Sequence, residues 1–171
     1  VSDSIESRLC FAAAGNQIES AVGAESQIGD IQRPAFQESF GRGAIAGATG
    51  NEIVDFAMQY IGYPYVYAGE GPYAFDCSGF TMFVIHNTLG IDITHDMFTQ
   101  VKMGQAVARN ALQQGDLVFF QNTFRPGLSH TGIYIGGGQF VHAENESTGV
   151  RVSDLNSDYY GSRWAGGTRL A

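Results

Sequence analysis

Between residues 51 and 90 the apolar positions recur every three or four residues, and beyond residue 115 they recur every second one. In "NEIVDFAMQYIG", Ile53, Phe56, Ala57, Tyr60 and Ile61 share one face of a helix, with Asn51 as its N-cap and Gly62 as its stop. A loop rich in Gly, Pro and Tyr follows. "DCSGFTMFVIHNTLG" is then a second helix, with Phe80, Phe83, Val84 and Leu89 on its pattern, Asp76 or Cys77 at its start and Gly90 closing it. Five short segments, "GDLVFFQ", "HTGIYIG", "GQFVHAE", "GVRVSDL" and "WAGGTRL", read as strands separated by turn residues. Consecutive strands with brief turns predict an antiparallel sheet, and helices followed by strands make the fold class α+β.

Residues 1–48 differ in texture: they are rich in Gly, Ala, Ser and Gln, and Gly15 and Gly23 interrupt the one weak helical stretch. "GRGAIAGATG" reads as a flexible joint. Residues 1–48 are expected to be a linker, a pro-segment or a partly helical arm, and residues 49–171 the globular domain. A chain of 171 residues that is 44% hydrophobic suits one sizeable core.

Charge narrows the partners. The formal net charge is -8 with only nine Lys and Arg, a balance that disfavours nucleic acid. No run of about 18 apolar residues is present, so no membrane span is expected. The chain starts at Val1 and shows no basic-then-apolar leader, which fits a mature chain whose targeting segment is missing. Cys10 and Cys77 are the two cysteines; one disulfide is conceivable, and the plain reading of Cys10 is a free thiol in the N-terminal arm. No zinc-ligand spacing occurs, so no metal and no other cofactor is expected. The oligomeric state is left open, with a monomer favoured.

Candidate chemistry centres on Cys77. A cysteine at a helix N-terminus meets unpaired backbone N–H groups, which favour thiolate over thiol, and a nearby imidazolium would help. Ser78 and Gly79 leave room for a substrate carbonyl, and the Cys77 N–H could join an oxyanion site. A buried structural cysteine is the bland alternative. Histidine spacing argues against it. "SHTGIYIGGGQFVHAE" reads as a hairpin turning near Gly136 and Gly137, which sets His142 opposite a position between His130 and Gly132. In the even registers His130 and His142 share a face, so His130 could take the thiol proton while His142 holds its other ring nitrogen. His86 reads as a helix-face residue and His95 as a loop residue that could lie at a cleft rim.

With those residues in hand, "GYPYVYAGEGPYAFDCSGF", "LQQGDLVFF" and "SHTGIYIGGGQFVHA" resemble the three signature blocks of the NlpC/P60 cysteine peptidases, in order, across residues 51–170. The resemblance implies a papain-like α+β core with the nucleophile helix packed on an antiparallel sheet. It implies a secreted or envelope enzyme that cuts peptidoglycan stem peptides, commonly between D-glutamate and the following diamino acid. Cys77 matches the family nucleophile, His130 the base and His142 the third polar residue. Tyr65 matches a tyrosine near the oxyanion site; Asp76 and Ser78 match residues that in some members contact the free amine of an N-terminal alanine. The same trio could serve an amidase that cuts between the sugar lactate and the first alanine, and a catalytically silent wall-binding module is the reading from another class. Two places depart from the pattern. "ITHDMFTQ" keeps Gln100, but Asp96 and Met97 do not match the proline, small or basic residue and serines that members often show ahead of that glutamine, and "YAGEGP" differs from the usual Gly-Gly pair after the aromatic.

Overall fold

The computed structural model describes residues 48–171, so the readings of the N-terminal segment and of Cys10 lie outside the described residues. The first helix, α1, runs over Gly50–Met58 and buries Ile53, Val54 and Ala57. Its cap is Thr49 rather than Asn51. The Thr49 side chain accepts from the Glu52 N–H, and the Glu52 carboxylate accepts from the Thr49 N–H, a reciprocal pair that satisfies two otherwise orphaned donors. α1 also ends before Gly62. The Gly62 N–H donates to the Val150 carbonyl and the Val150 N–H to the Tyr63 carbonyl, so pairing with the sheet draws the chain out of the helix.

Helix α2, Cys77–Leu89, follows the expected bounds. The Asp76 side chain accepts from the Gly79 N–H at its start, and Gly90, at φ 68°, closes it in the left-handed conformation. A short helix α3, Met97–Gln100, is capped by Asp96. Strands β1 (Gln105–Val107), β2 (Leu117–Gln121), β3 (Leu128–Gly136), β4 (Gln139–Ala143), β5 (Val150–Asp154) and β6 (Trp164–Arg169) form one antiparallel sheet in the order β1-β6-β2-β3-β4-β5. A one-turn helix α4, Asp158–Gly161, precedes β6. This is the α+β architecture expected, with β1, α3 and α4 added. β1 carried no apolar alternation, and its pairing with β6 supplies the structure that its own sequence does not.

At β2 the sheet is buried on both faces, which explains why "LVFF" is apolar throughout rather than alternating. Leu117, Phe119, Ile133 and Val141 pack towards α1 and α2 with Phe75, Phe80 and Ile85. Val118, Phe120 and Phe140 face the other way, onto Leu155 and the Tyr160 ring of α4. Alternation along β3 therefore sends Thr131 and Ile133 to the helical side, and His130, Gly132 and Tyr134 to the α4 side.

The departure at "YAGEGP" falls on Ala68, which stands at φ 60° with its N–H donating to Asp76 Oδ2 at 3.0 Å. A side chain there strains the left-handed backbone, whereas glycine adopts it freely. Ala68→Gly should therefore raise stability by about 0.5–1 kcal/mol, after allowing for the greater freedom of the unfolded chain. Chemical denaturation measures this, and a loss of stability would refute it.

Candidate active site

Cys77 is the first residue of α2 and is only 4% exposed. The backbone N–H groups of Ser78 and Thr131 lie close enough to its sulfur to favour the thiolate. The Thr131 N–H belongs to the His130–Thr131 peptide, so the thiol lies against the strand that carries His130. β3 and β4 pair Ile133 with Val141 and Tyr134 with Phe140 about a turn at Gly137 and Gly138. That register puts both histidines on one face. His130 Nε2 lies 2.6 Å from His142 Nδ1, and His142 Nε2 lies 2.8 Å from Ser153 Oγ.

Two opposite bonding orders satisfy these contacts, because the Ser153 hydroxyl can accept or donate, and one of them suits a base at His130 Nδ1. In that order an N–H on His130 Nε2 donates to His142 Nδ1, and an N–H on His142 Nε2 donates to Ser153, which leaves the lone pair of His130 on Nδ1. The rings are wedged by aromatic packing: His130 stacks on Tyr160 with centroids 6.2 Å apart, and His142 meets the Tyr160 ring edge-on at 5.5 Å. Gly132 is required between them. A Cβ there would come within 2.9 Å of the His142 Cβ and 2.8 Å of the Phe140 ring.

Burial outweighs the helix terminus in setting the thiol. Desolvation first, and then the neighbouring Asp76 carboxylate, push the Cys77 thiol up to about 12, although the nearby backbone N–H groups pull the other way. His130 is likewise held neutral, with burial lowering its pKa to about 4. His142 is lowered too, by burial and by the His130 and Arg151 charges. The resting pair is thus thiol and neutral imidazole, in place of the thiolate and imidazolium expected from the helix start alone. For a histidine lowered on folding, the stabilisation is present above the unfolded value near 6.5 and is lost as pH falls towards about 4. The wild type should lose roughly 3 kcal/mol over that window through His130, and His130→Asn should flatten that part of the slope. Denaturation at stepped pH tests this; equal slopes would contradict it.

The other expected residues gather near Cys77. Asp76 is buried and heavily bonded: Oδ1 accepts from Gly79 N–H (2.7 Å) and Ser78 Oγ (3.3 Å) and lies 2.7 Å from His95 Nε2, while Oδ2 accepts from Ala68 N–H. Ser78 is buried beside it. The half-buried Tyr65 phenol is kept protonated, chiefly by burial and then by the Cys77 and Asp76 charges, so it faces this site as a donor. Fully buried Gln100 donates to the Ser78 and Thr94 carbonyls and accepts from Thr81 Oγ1, pinning the start of α2 to the 94–100 segment. Asp96, one of the departures, spends its carboxylate on the Phe98 and Thr99 N–H groups of α3. The other departure there, Met97, is buried. His86 is exposed on α2, as expected.

Three participants were not foreseen: Ser153, Tyr160 and Glu144. The Tyr160 hydroxyl donates to Glu144 Oε1 at 3.1 Å, and both line a groove of about 480 Å³ with His130, Thr123, Phe124 and Tyr159. A serine on the strand following the second histidine was the available hint for Ser153. Nothing local marks Tyr160, because its place depends on α4 folding back over the sheet.

A cysteine at a helix start, packed on an antiparallel sheet that carries a bonded pair of histidines, fits a papain-like fold. The NlpC/P60 family model matches residues 62–169, and the chain belongs to that family. Among curated relatives, the gamma-DL-glutamyl hydrolase of Bacillus subtilis (strain 168) is 41% identical over 115 residues, 67% of this chain and 28% of that protein. The gamma-D-glutamyl-L-lysine dipeptidyl-peptidase of Bacillus cereus is 35% identical over 120 residues, 70% of this chain and 36% of that protein. This chain thus matches only about a third of these relatives' length. A crystal structure of an NlpC/P60 family protein from Bacillus cereus ATCC 10987 superposes with a TM-score of 0.65 at 33% identity, over 71% of this chain and 40% of that one. No helix among the described residues is long and apolar enough to cross a membrane.

Proposed function

We propose that the chain is a cysteine endopeptidase of the cell envelope that hydrolyses peptidoglycan stem peptides at the bond between D-glutamate and the following diamino acid. The observation that carries this reading is the Cys77 sulfur lying against the His130–Thr131 peptide, with His130 bonded at 2.6 Å to His142. Both relatives quoted above have γ-glutamyl names, which supports a γ-glutamyl group as the acyl half of the substrate.

The reaction starts from neutral partners. Cys77 passes its proton to His130 Nδ1, and the sulfur attacks the γ-carbonyl; the ion pair so formed offsets part of the desolvation that keeps each group neutral alone. The Cys77 N–H and the Tyr65 hydroxyl meet the oxyanion. His130 returns its proton to the departing amine as the C–N bond breaks, leaving a thioester. Water then gives a proton to His130 and its hydroxyl to the carbonyl, and the thiol is regenerated as the acid leaves. His142, steadied by Ser153, keeps His130 in the tautomer this sequence needs. Asp76 and Ser78, which flank Cys77, meet the free amine of an N-terminal alanine.

Because the resting thiol is neutral and buried, a general alkylating agent should label it slowly even in active enzyme. A γ-glutamyl diazomethyl ketone, which occupies the acyl site, is the better probe. A single adduct mapped to Cys77 and blocked by substrate is expected. An active protein that forms no adduct, or forms it elsewhere, would refute the assignment.

A further inference from the structure

We propose that His95 is a positioning residue, a charged imidazolium that clamps Glu70 to the Asp76 cap and sets an alkaline limit on catalysis. The proposal rests on Cys77 being the nucleophile. Both ring nitrogens of His95 face carboxylates, Nδ1 at 2.9 Å from Glu70 Oε1 and Nε2 at 2.7 Å from Asp76 Oδ1. An ionised carboxylate can only accept, and a neutral imidazole has one N–H. Two such contacts at once require both nitrogens to be protonated. The partly buried ring therefore carries a positive charge here, between the exposed Glu70 of the preceding loop and the buried Asp76 that caps α2.

The backbone holds the ring in this position. Thr94 stands at φ 60°, an unfavourable value for a β-branched residue, and its carbonyl accepts from Gln100 Nε2, the same nitrogen that donates to the Ser78 carbonyl. His95 and the first turn of α2 are thus tied together twice, through Asp76 and through Gln100. The acids of its own segment are turned elsewhere: Asp92 accepts from the Thr94 N–H, and Asp96 caps α3. The carboxylates facing the ring are accordingly those of Glu70 and Asp76.

The charge has a consequence at the nucleophile. The Asp76 carboxylate opposes ionisation of Cys77, and a cation 2.7 Å from its Oδ1 offsets that field. Loss of the proton from His95 exposes Cys77 to the full Asp76 charge and sets a lone pair against one of the two carboxylates. The hydrogen bond to Asp76, opposed by burial and reinforced by the Asp76 charge and by Glu70, raises the His95 pKa above its ordinary 6.5. A raised histidine contributes fully below the unfolded value and loses its contribution as pH rises through the folded one. The limit so produced lies on the alkaline side.

The test measures kcat/KM on L-Ala-γ-D-Glu-L-Lys across pH 5.5–9.5 for wild type, His95→Gln and His95→Arg, with Cys77→Ala as control. Wild type should show a descending alkaline limb. His95→Gln should be lower by about tenfold where wild type is charged, and should lack that limb. His95→Arg should recover most of the loss and hold it to higher pH. Separately, NMR of the histidine rings in Cys77→Ala should find a His95 midpoint above 6.5 that falls in a Glu70→Gln, Cys77→Ala double variant. A His95→Gln profile superimposable on wild type, or a His95 midpoint at or below the ordinary value, would overturn the proposal. Turnover by Cys77→Ala would instead sink the nucleophile assignment, and the NMR midpoint would still judge the charge on His95.

Discussion

Replacing Cys77 by Ala should lower kcat/KM on a γ-D-glutamyl stem peptide by about 10⁴-fold or more, while the protein keeps its fold. The loss is large because no other group replaces the thiol: the mechanism forms a thioester, and the remaining N–H groups and histidines can only polarise a carbonyl for direct attack by water. The fold should survive because the thiol fills little volume at a helix start, and Asp76 and Gln100, rather than the sulfur, hold α2 in place. A melting temperature within a few degrees of wild type, with turnover at background, is the expected pair of results. Turnover near wild type would refute the nucleophile assignment; collapse of the fold would show that the thiol also has a structural role.

Asp76→Ala should be the more damaging change for stability. Its carboxylate accepts from the Gly79 and Ala68 N–H groups and from Ser78, and pairs with His95. Removal takes away the cap of α2, leaves buried donors unsatisfied and strands the charge on His95. A cap is worth about 1 kcal/mol and each orphaned buried donor about 1–3. The variant should lose about 2–4 kcal/mol after partial relaxation. Asp76→Asn keeps an oxygen to cap Gly79 but offers no charge to His95, so it should be intermediate in stability. If Asp76 also binds the amine of the substrate, Asp76→Asn should raise KM for a peptide with a free N-terminal alanine more than for its N-acetylated counterpart. Equal effects on the two peptides would confine Asp76 to its structural role.

The parts legible in the sequence are those with local causes. Asp76 and Gly90 announce the ends of α2, short apolar, β-branched and aromatic segments between turn residues mark the main strands, and the triple glycine fixes the hairpin register closely enough to put His130 beside His142. What was not legible comes from distant parts of the chain. β1 exists because β6 offers an edge, Tyr160 reaches the histidines because α4 folds over the sheet, and α1 stops early because Gly62 pairs with Val150. The state of Cys77 belongs to the same class. A helix terminus is visible in the sequence, but the desolvation that outweighs it comes from packing against β3. His95 is the plainest case, since its two carboxylate partners lie 19 and 25 residues upstream.

The most direct measurement is mass spectrometry of the products after incubating the wild type with a muropeptide of defined stem sequence. Release of the diamino acid half, leaving sugar-linked L-Ala-γ-D-Glu, is the predicted result; from a free stem peptide, the dipeptide L-Ala-γ-D-Glu itself should appear. An intact stem peptide freed from the sugar would make the chain an amidase, and failure to cleave both the muropeptide and the free stem peptide would contradict catalysis at this site.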